Sequence, residues 1–235
     1  LATLIVSNPT RRNALTPALA DELVDAFDKV NEDLSVGALV VKGANGTFCS
    51  GADLASLSQL QKDPVSDESY DALERIYRAF SRLAEVRVPT IAAVRGSAVG
   101  AGMNLAMAAD VRIVSHDARL ISGFLKIGVH PGGGHFQMLA HAANREVATA
   151  MGILSQEVSG ERACSLGLAW ESLDDADVEG RAEELASVPA NDPALSRYAI
   201  HSLRSTNPPV VPASVALQAE RSPQLWSFRR ASPEG

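Results

Sequence analysis

Val94-Arg95-Gly96-Ser97-Ala98-Val99-Gly100-Ala101-Gly102-Met103-Asn104-Leu105 reads as a strand end that runs through small residues into a helix. Residues 90–94 just before it are apolar and β-branched, a strand. Residues 101–109 are apolar nearly all round, a short buried helix, and 111–114 form a further strand. Strand, helix and strand in alternation are the mark of an α/β domain with parallel strands.

The same alternation extends towards the N-terminus. Residues 2–7 are a strand stopped by Asn8 and Pro9. Thr16 then caps a helix with Pro17 in its first position and Asp21 and Glu22 in its first turns. Leu19, Leu23, Ala26, Phe27, Val30 and Leu34 share one face of it. A second strand is expected at 38–41. A polar surface loop is expected at 59–68, then an amphipathic helix carrying Tyr70, Leu73, Ile76, Tyr77, Phe80, Leu83 and Ala84. Beyond about residue 140 the strand signals fade: 145–154, 177–186, 193–205 and 212–228 read as helices, with 168–170 as one last short strand. The expectation is one α/β domain with a helical appendage.

The 235 residues include 21 Lys and Arg against 28 Asp and Glu, a formal charge of -7, which argues against nucleic acid as a partner. Cys49 and Cys164 are too few for a disulfide scaffold and lack metal-ligand spacing, so no metal is expected. No apolar run approaches the roughly 20 residues of a membrane helix, no secretory start is seen, and a cytoplasmic location is expected. Leu105 stands where a dinucleotide fingerprint needs its third glycine, Ser97 directly follows its glycine rather than sitting in GxSxG, and no GxxxxGK[ST] or HExxH occurs.

Two segments remain: Thr47-Phe48-Cys49-Ser50-Gly51-Ala52-Asp53-Leu54, and the stretch quoted first. Small residues let a ligand approach backbone N–H groups, and a helix N-terminus favours negative charge. Two N–H groups converging on one carbonyl oxygen would stabilise an oxyanion; each segment alone is equally a tight turn in a packed domain.

Together with Asn8-Pro9, Arg12-Asn13-Ala14-Leu15, Pro89-Thr90-Ile91-Ala92-Ala93-Val94, Leu105-Ala106 before Asp110, Ile127-Gly128-Val129 and Pro131-Gly132-Gly133-Gly134, the two segments resemble the crotonase (enoyl-CoA hydratase/isomerase) superfamily in order and spacing. The resemblance implies a spiral of ββα turns at 1–190 and a C-terminal helical region at 191–235 used in trimerisation, as a homotrimer or a dimer of trimers. It implies an acyl-CoA thioester ligand, with no cofactor beyond coenzyme A as part of the substrate. Its oxyanion donors would be the N–H groups of Ala52 and Ala101, with coenzyme A along Arg12, Ala14, Ser50, Ala52, Asp53 and Leu54. Arg11 and Arg12 would meet its phosphates, or be two solvated loop arginines. In this family the chain also runs on past Gly235 and starts upstream of Leu1, so a trimmed portion is expected.

The hydratases use two glutamates as general acid and base, and their positions here fall on Asn104 and Phe124. An amide orients water without exchanging a proton near neutrality, and a phenyl ring does neither. His130 and His135 flank the Pro-Gly loop instead. One of them is expected to face the pocket and handle a proton; the competing reading is a histidine bonded to loop backbone. The expected activity is isomerase- or lyase-type chemistry on an acyl-CoA enolate rather than simple hydration. The alternatives are an acyl-CoA-binding pseudoenzyme and a coenzyme-A thioesterase.

Overall fold

A computed structural model describes residues 1–53, 55, 62–206 and 212–230. β1 (Ala2–Val6) leads through Leu15 into α1 (Pro17–Glu32), and β2 (Leu39–Gly43) leads through Cys49 and Ala52 towards α2 (Asp67–Ala84). β3 (Thr90–Val94) is followed by β4 (Ser97–Val99) and α3 (Ala101–Ala108), and β5 (Val111–Ser115) by β6 (Arg119–Ile121). The rest of the described chain holds α4 (His135–Ala142), α5 (Arg145–Gly152), β7 (Val158–Ser159), α6 (Gly160–Ser165), β8 (Glu171–Leu173), α7 (Val178–Ala190), α8 (Pro193–Thr206) and α9 (Ala213–Arg230).

Each early turn of the spiral therefore adds a strand to one sheet and a short extended stretch to a second. The first sheet is parallel throughout, in the order β1, β2, β3, β5, β8. The second pairs β4 with β6 in parallel and β6 with β7 antiparallel, and parallel bridges from Cys49 to Ala98 and from Leu15 to Ala52 carry it back into the earlier turns.

A parallel sheet covered on both faces needs consecutive apolar residues, and β2 supplies them. Leu39 and Val41 join the large core with Leu23, Phe27 and Phe80, while Val40 joins a smaller cluster with Val178, Ala182 and Ala186 of α7. Phe27 is fully buried in the large core. Phe27→Ala is expected to lower the unfolding free energy by about 3–5 kcal/mol through the cavity it leaves, a loss that urea denaturation would read.

The helix starts follow their caps. Thr16 is extended and its hydroxyl accepts from Leu19 N at 3.1 Å, ahead of Pro17. Ser66 caps α2 by accepting from Ser69 N, with Asp67 and Glu68 in the first turn, so the polar stretch expected as a loop over 59–68 ends in helix. Residues 59–61 lie outside the described residues. Leu34 does not share the apolar face of α1: the helix stops at Glu32 and Leu34 is exposed.

The last strand is displaced from 168–170 to Glu171–Leu173. Leu168 O accepts from Arg112 Nε at 2.7 Å and Trp170 N donates to Arg112 O at 2.9 Å, which steers the chain alongside β5 before the ladder begins. Strand and helix thus continue beyond residue 140: β8 and α7 extend the core, and Phe228 of α9 is fully buried in it. Helix α8, which follows α7, is tied to the core by two arginines. Arg197 donates to Val30, Asn31, Asp33 and Val36 carbonyls at the end of α1. Arg204 grips both oxygens of Asp110, which also accepts from Thr90 N and Oγ1.

Candidate active site

The site forms where the second sheet meets the start of α3. Leu15 N donates to Gly51 O at 2.7 Å and Asp53 N donates to Leu15 O at 2.9 Å. In such a parallel bridge the residue between those two groups, Ala52, turns its own N–H to the opposite side. Ala101 opens α3, and the first N–H groups of a helix have no intrahelical acceptor. Both residues line one cavity.

Two glycines bring these backbones together. Gly51 has φ +98°, and a β-carbon on it would stand 2.7 Å from Val99 O and 3.8 Å from Ala101 N. A β-carbon on Gly102 would stand 2.3 Å from Cys49 O, so α3 seats directly on the strand before the Gly51 turn.

The cavity has a volume of about 180 Å³. Leu73, Ile76 and Phe80 of α2 form an apolar wall, residues 122–124 another side, and Gln224 of α9 a third, where Tyr77 Oη donates to its Oε1. Among the described residues no Asp, Glu, His, Lys or Arg lines it. Asn104 and Phe124 both do.

Asn104 is held at both ends of its amide. Its Nδ2 donates to Gly132 O at 3.0 Å, which leaves Oδ1 to accept from His135 Nδ1 at 2.6 Å. Nδ1 of His135 then carries the proton, and Nε2 accepts from the Ser122 hydroxyl at 2.7 Å. The Phe124 ring meets the imidazole edge-on at 4.9 Å between centroids. Burial pushes the His135 imidazole down to about 3, so it stays neutral near physiological pH.

The two flanking histidines therefore separate. His135 is joined to the cavity through Ser122 and Asn104. His130 hydrogen-bonds Pro131 O through Nδ1 at 2.6 Å, its backbone N–H donates to Ser227 Oγ at 2.8 Å, and it does not line the cavity.

Of the residues expected along coenzyme A, Arg12 is exposed with left-handed φ 49°, and its carbonyl accepts from Ser50 N at 3.1 Å. Ser50 Oγ donates to Arg11 O at 3.0 Å, Arg11 pairs with buried Asp53 at 2.5 Å, and Ala14 is buried. Leu54 lies outside the described residues. Asn13 locks this loop: its Nδ2 donates to Ala44 O and Thr47 O, and its Oδ1 accepts from Asn8 N.

Ser122, Gln224 and Glu220 were not singled out by sequence reasoning. Glu220, 85 residues from His135, caps α4 by accepting from His135 N at 2.8 Å and Phe136 N at 3.1 Å. Burial pushes its carboxyl up to about 7 despite those bonds. Glu220 and His135 then act oppositely on stability. A raised carboxyl stabilises the fold below its ordinary 4.5 and loses that as pH climbs through about 7. A depressed imidazole stabilises it above its ordinary 6.5 and loses that as pH falls towards about 3. Between these ordinary values the slopes offset. Glu220→Gln is expected to unmask the histidine: urea-denaturation stability should fall by about 1 kcal/mol per pH unit from pH 6 to 5, where the parent stays nearly level.

Burial pushes the Cys49 thiol up to about 12, which removes it as a nucleophile. Among the described residues no group of three or more His, Cys, Asp or Glu could hold a metal, and no helix is long and apolar enough to cross a membrane.

Comparison with known proteins points the same way as the geometry. The family model described as enoyl-CoA hydratase/isomerase matches residues 1–221. "Probable enoyl-CoA hydratase echA14" of Mycobacterium tuberculosis is 42% identical over 193 residues, 82% of this chain and 73% of that protein. The 1,2-epoxyphenylacetyl-CoA isomerase of Escherichia coli is 31% identical over 97% of this chain and 87% of its own. A crystal structure of an enoyl-CoA hydratase from Polaromonas superposes with a TM-score of 0.78 at 25% identity, covering 97% of this chain and 86% of that one. With its ββα spiral and its Gly51 turn facing the start of α3, the chain belongs to the enoyl-CoA hydratase/isomerase family of the crotonase superfamily.

Proposed function

We propose that this protein binds an acyl-CoA thioester with the carbonyl oxygen between the N–H groups of Ala52 and Ala101, and stabilises the enolate that forms there. The observation that carries this reading is the cavity wall itself, which brings the Gly51 turn and the start of α3 together and holds no charged side chain among the described residues. Backbone donors fixed in a low-dielectric site act strongly on developing charge. Coenzyme A lies along Arg12, Ala14, Ser50, Asp53 and Leu54, and no further cofactor takes part.

With no carboxylate on that wall among the described residues, the reaction is isomerase- or lyase-type rather than hydration. His135 handles the proton through the Ser122 hydroxyl, with Asn104 fixing its tautomer; His130 supports the loop. A relative named as an acyl-CoA isomerase is in keeping with this reading. The uncharged wall also favours a second one, a crotonase-fold protein that holds acyl-CoA without turning it over.

The test offers the purified protein a panel of enoyl- and acyl-CoA esters in heavy water, with calorimetry for binding and NMR for products. Binding with double-bond migration or deuterium at the α-carbon supports the enzyme. Binding with neither transfers the case to the second reading, and no binding contradicts both.

The helical region also serves self-association in this proposal, as a homotrimer or a dimer of trimers. Leu195, Tyr198 and Leu203 of α8 and Trp226 of α9 are exposed apolar side chains that such packing would cover, and light scattering would give the mass.

A further inference from the structure

We propose that Ser122 is an acyl acceptor, so that the same cavity hydrolyses acyl-CoA thioesters through an acyl-serine intermediate. This goes beyond the enolate chemistry above but rests on the same placement of the thioester.

Ser122, His135 and Asn104 come from three separate stretches and form one continuous chain of hydrogen bonds. The serine hydroxyl donates to His135 Nε2 at 2.7 Å and His135 Nδ1 donates to Asn104 Oδ1 at 2.6 Å. The tautomer is set from the far end, because Asn104 Nδ2 is turned to Gly132 O and Oδ1 is thereby presented to the ring. That is the division of roles in a nucleophile, base and orienter set, recognised by geometry and not by sequence order. All three side chains are buried, with Ser122 2% and His135 1% exposed, yet Ser122 and Asn104 reach the cavity wall.

The serine also stands beside the proposed oxyanion donors. Gly100 N donates to Ile121 O at 2.8 Å, which holds the residue before Ala101 against the residue before Ser122. With its own proton directed at Nε2, the serine oxygen keeps its lone pairs for a carbonyl carbon in the cavity.

In the first step Ser122 Oγ bonds to the thioester carbon as its proton moves to His135 Nε2, and the oxyanion is held by the two backbone N–H groups. The C–S bond then breaks, and the leaving thiolate takes the proton from Nε2 to give free coenzyme A. In the second step water attacks the serine ester, its proton passes to Nε2 and then to Oγ, and the carboxylic acid leaves. The balance is acyl-CoA plus water to acid plus coenzyme A.

The orienter is a neutral amide, so the imidazolium gains little support, and desolvation disfavours it further. The thiol leaves far more readily than the serine alkoxide does in the second step, its pKa being near 8.5. Acylation therefore outruns deacylation, and the serine ester accumulates.

The experiment uses a saturated acyl-CoA, which has no double bond to migrate. It reads thiol release, intact mass and calorimetric binding of a thioether analogue that has no cleavable C(O)–S bond. The expected result is a burst near one thiol per chain, an acyl adduct mapped to Ser122, and slow turnover after it. Ser122→Ala should lose the adduct and slow thiol release by at least about 100-fold, with analogue affinity kept within about threefold. His135→Gln should lose the adduct and also keep analogue binding, a split that a merely structural role would not produce. Analogue binding with no thiol release, release undiminished in Ser122→Ala, or an adduct on another residue would overturn the inference alone. Failure of the parent to bind the analogue would overturn the reading of the site on which it rests.

Discussion

Gly51→Ala is expected to lower acyl-CoA turnover by about 10²–10³-fold, the loss associated with one misplaced oxyanion donor. The glycine sits at φ +98°, where an L side chain is strained, and the new β-carbon would stand 2.7 Å from Val99 O. Something must move. If the turn moves, the Ala52 N–H goes with it; if β4 moves, it takes Gly100 and Ala101. Either way one donor leaves its place while the apolar wall of α2 stays as it was, so the loss should fall on kcat more than on KM. Gly180→Ala is the matched control. It lies within α7 with nothing within 4 Å of the added carbon, and should leave activity unchanged while adding about 0.5–1 kcal/mol of stability. Steady-state kinetics on both variants reads the difference.

Crotonyl-CoA hydration is expected to run at least about 10⁴-fold below that of family members with both carboxylates, since each general acid or base contributes about 10²–10⁴-fold. Asn104, bonded to Gly132 and His135, keeps a second N–H that can orient a water but exchanges no proton near neutrality. Phe124 lays its ring edge-on to that histidine and offers no polar atom. Glu220 accepts from the first N–H groups of α4 and does not line the cavity. Loss of the enone absorbance follows hydration directly. Rapid hydration would show that a carboxylate reaches the β-carbon by a route this arrangement does not provide.

The elements that were legible in the sequence are those with their own local signals. Thr16 and Pro17 announce α1, the apolar spacing of Leu73, Ile76, Phe80 and Leu83 announces α2, and β-branched runs announce β1, β2, β3 and β5. β4 and β6 have three residues each and β7 two, too short for any alternation to show. α4 begins after Gly133 and Gly134, both at positive φ, and its cap is supplied by Glu220 from α9, so nothing near His135 signals a helix start. The site divides in the same way. Asn104 and Phe124 follow from motif spacing. The Ser122 contact to His135 does not, because it depends on how a strand end and a helix start meet across 13 residues. Histidine chemistry alone could not choose between His130 and His135; the Asn104 amide does, by bonding only one of them.

In the proposed complex two backbone N–H groups, at Ala52 and Ala101, polarise the thioester carbonyl. Infrared difference spectroscopy of a bound acyl-CoA labelled with carbon-13 at that carbonyl tests it most directly. The expected stretching band lies at lower frequency on the protein than in water and returns towards the solution value in Gly51→Ala. A bound thioester whose carbonyl band is unmoved, or moved equally in Gly51→Ala, would contradict it.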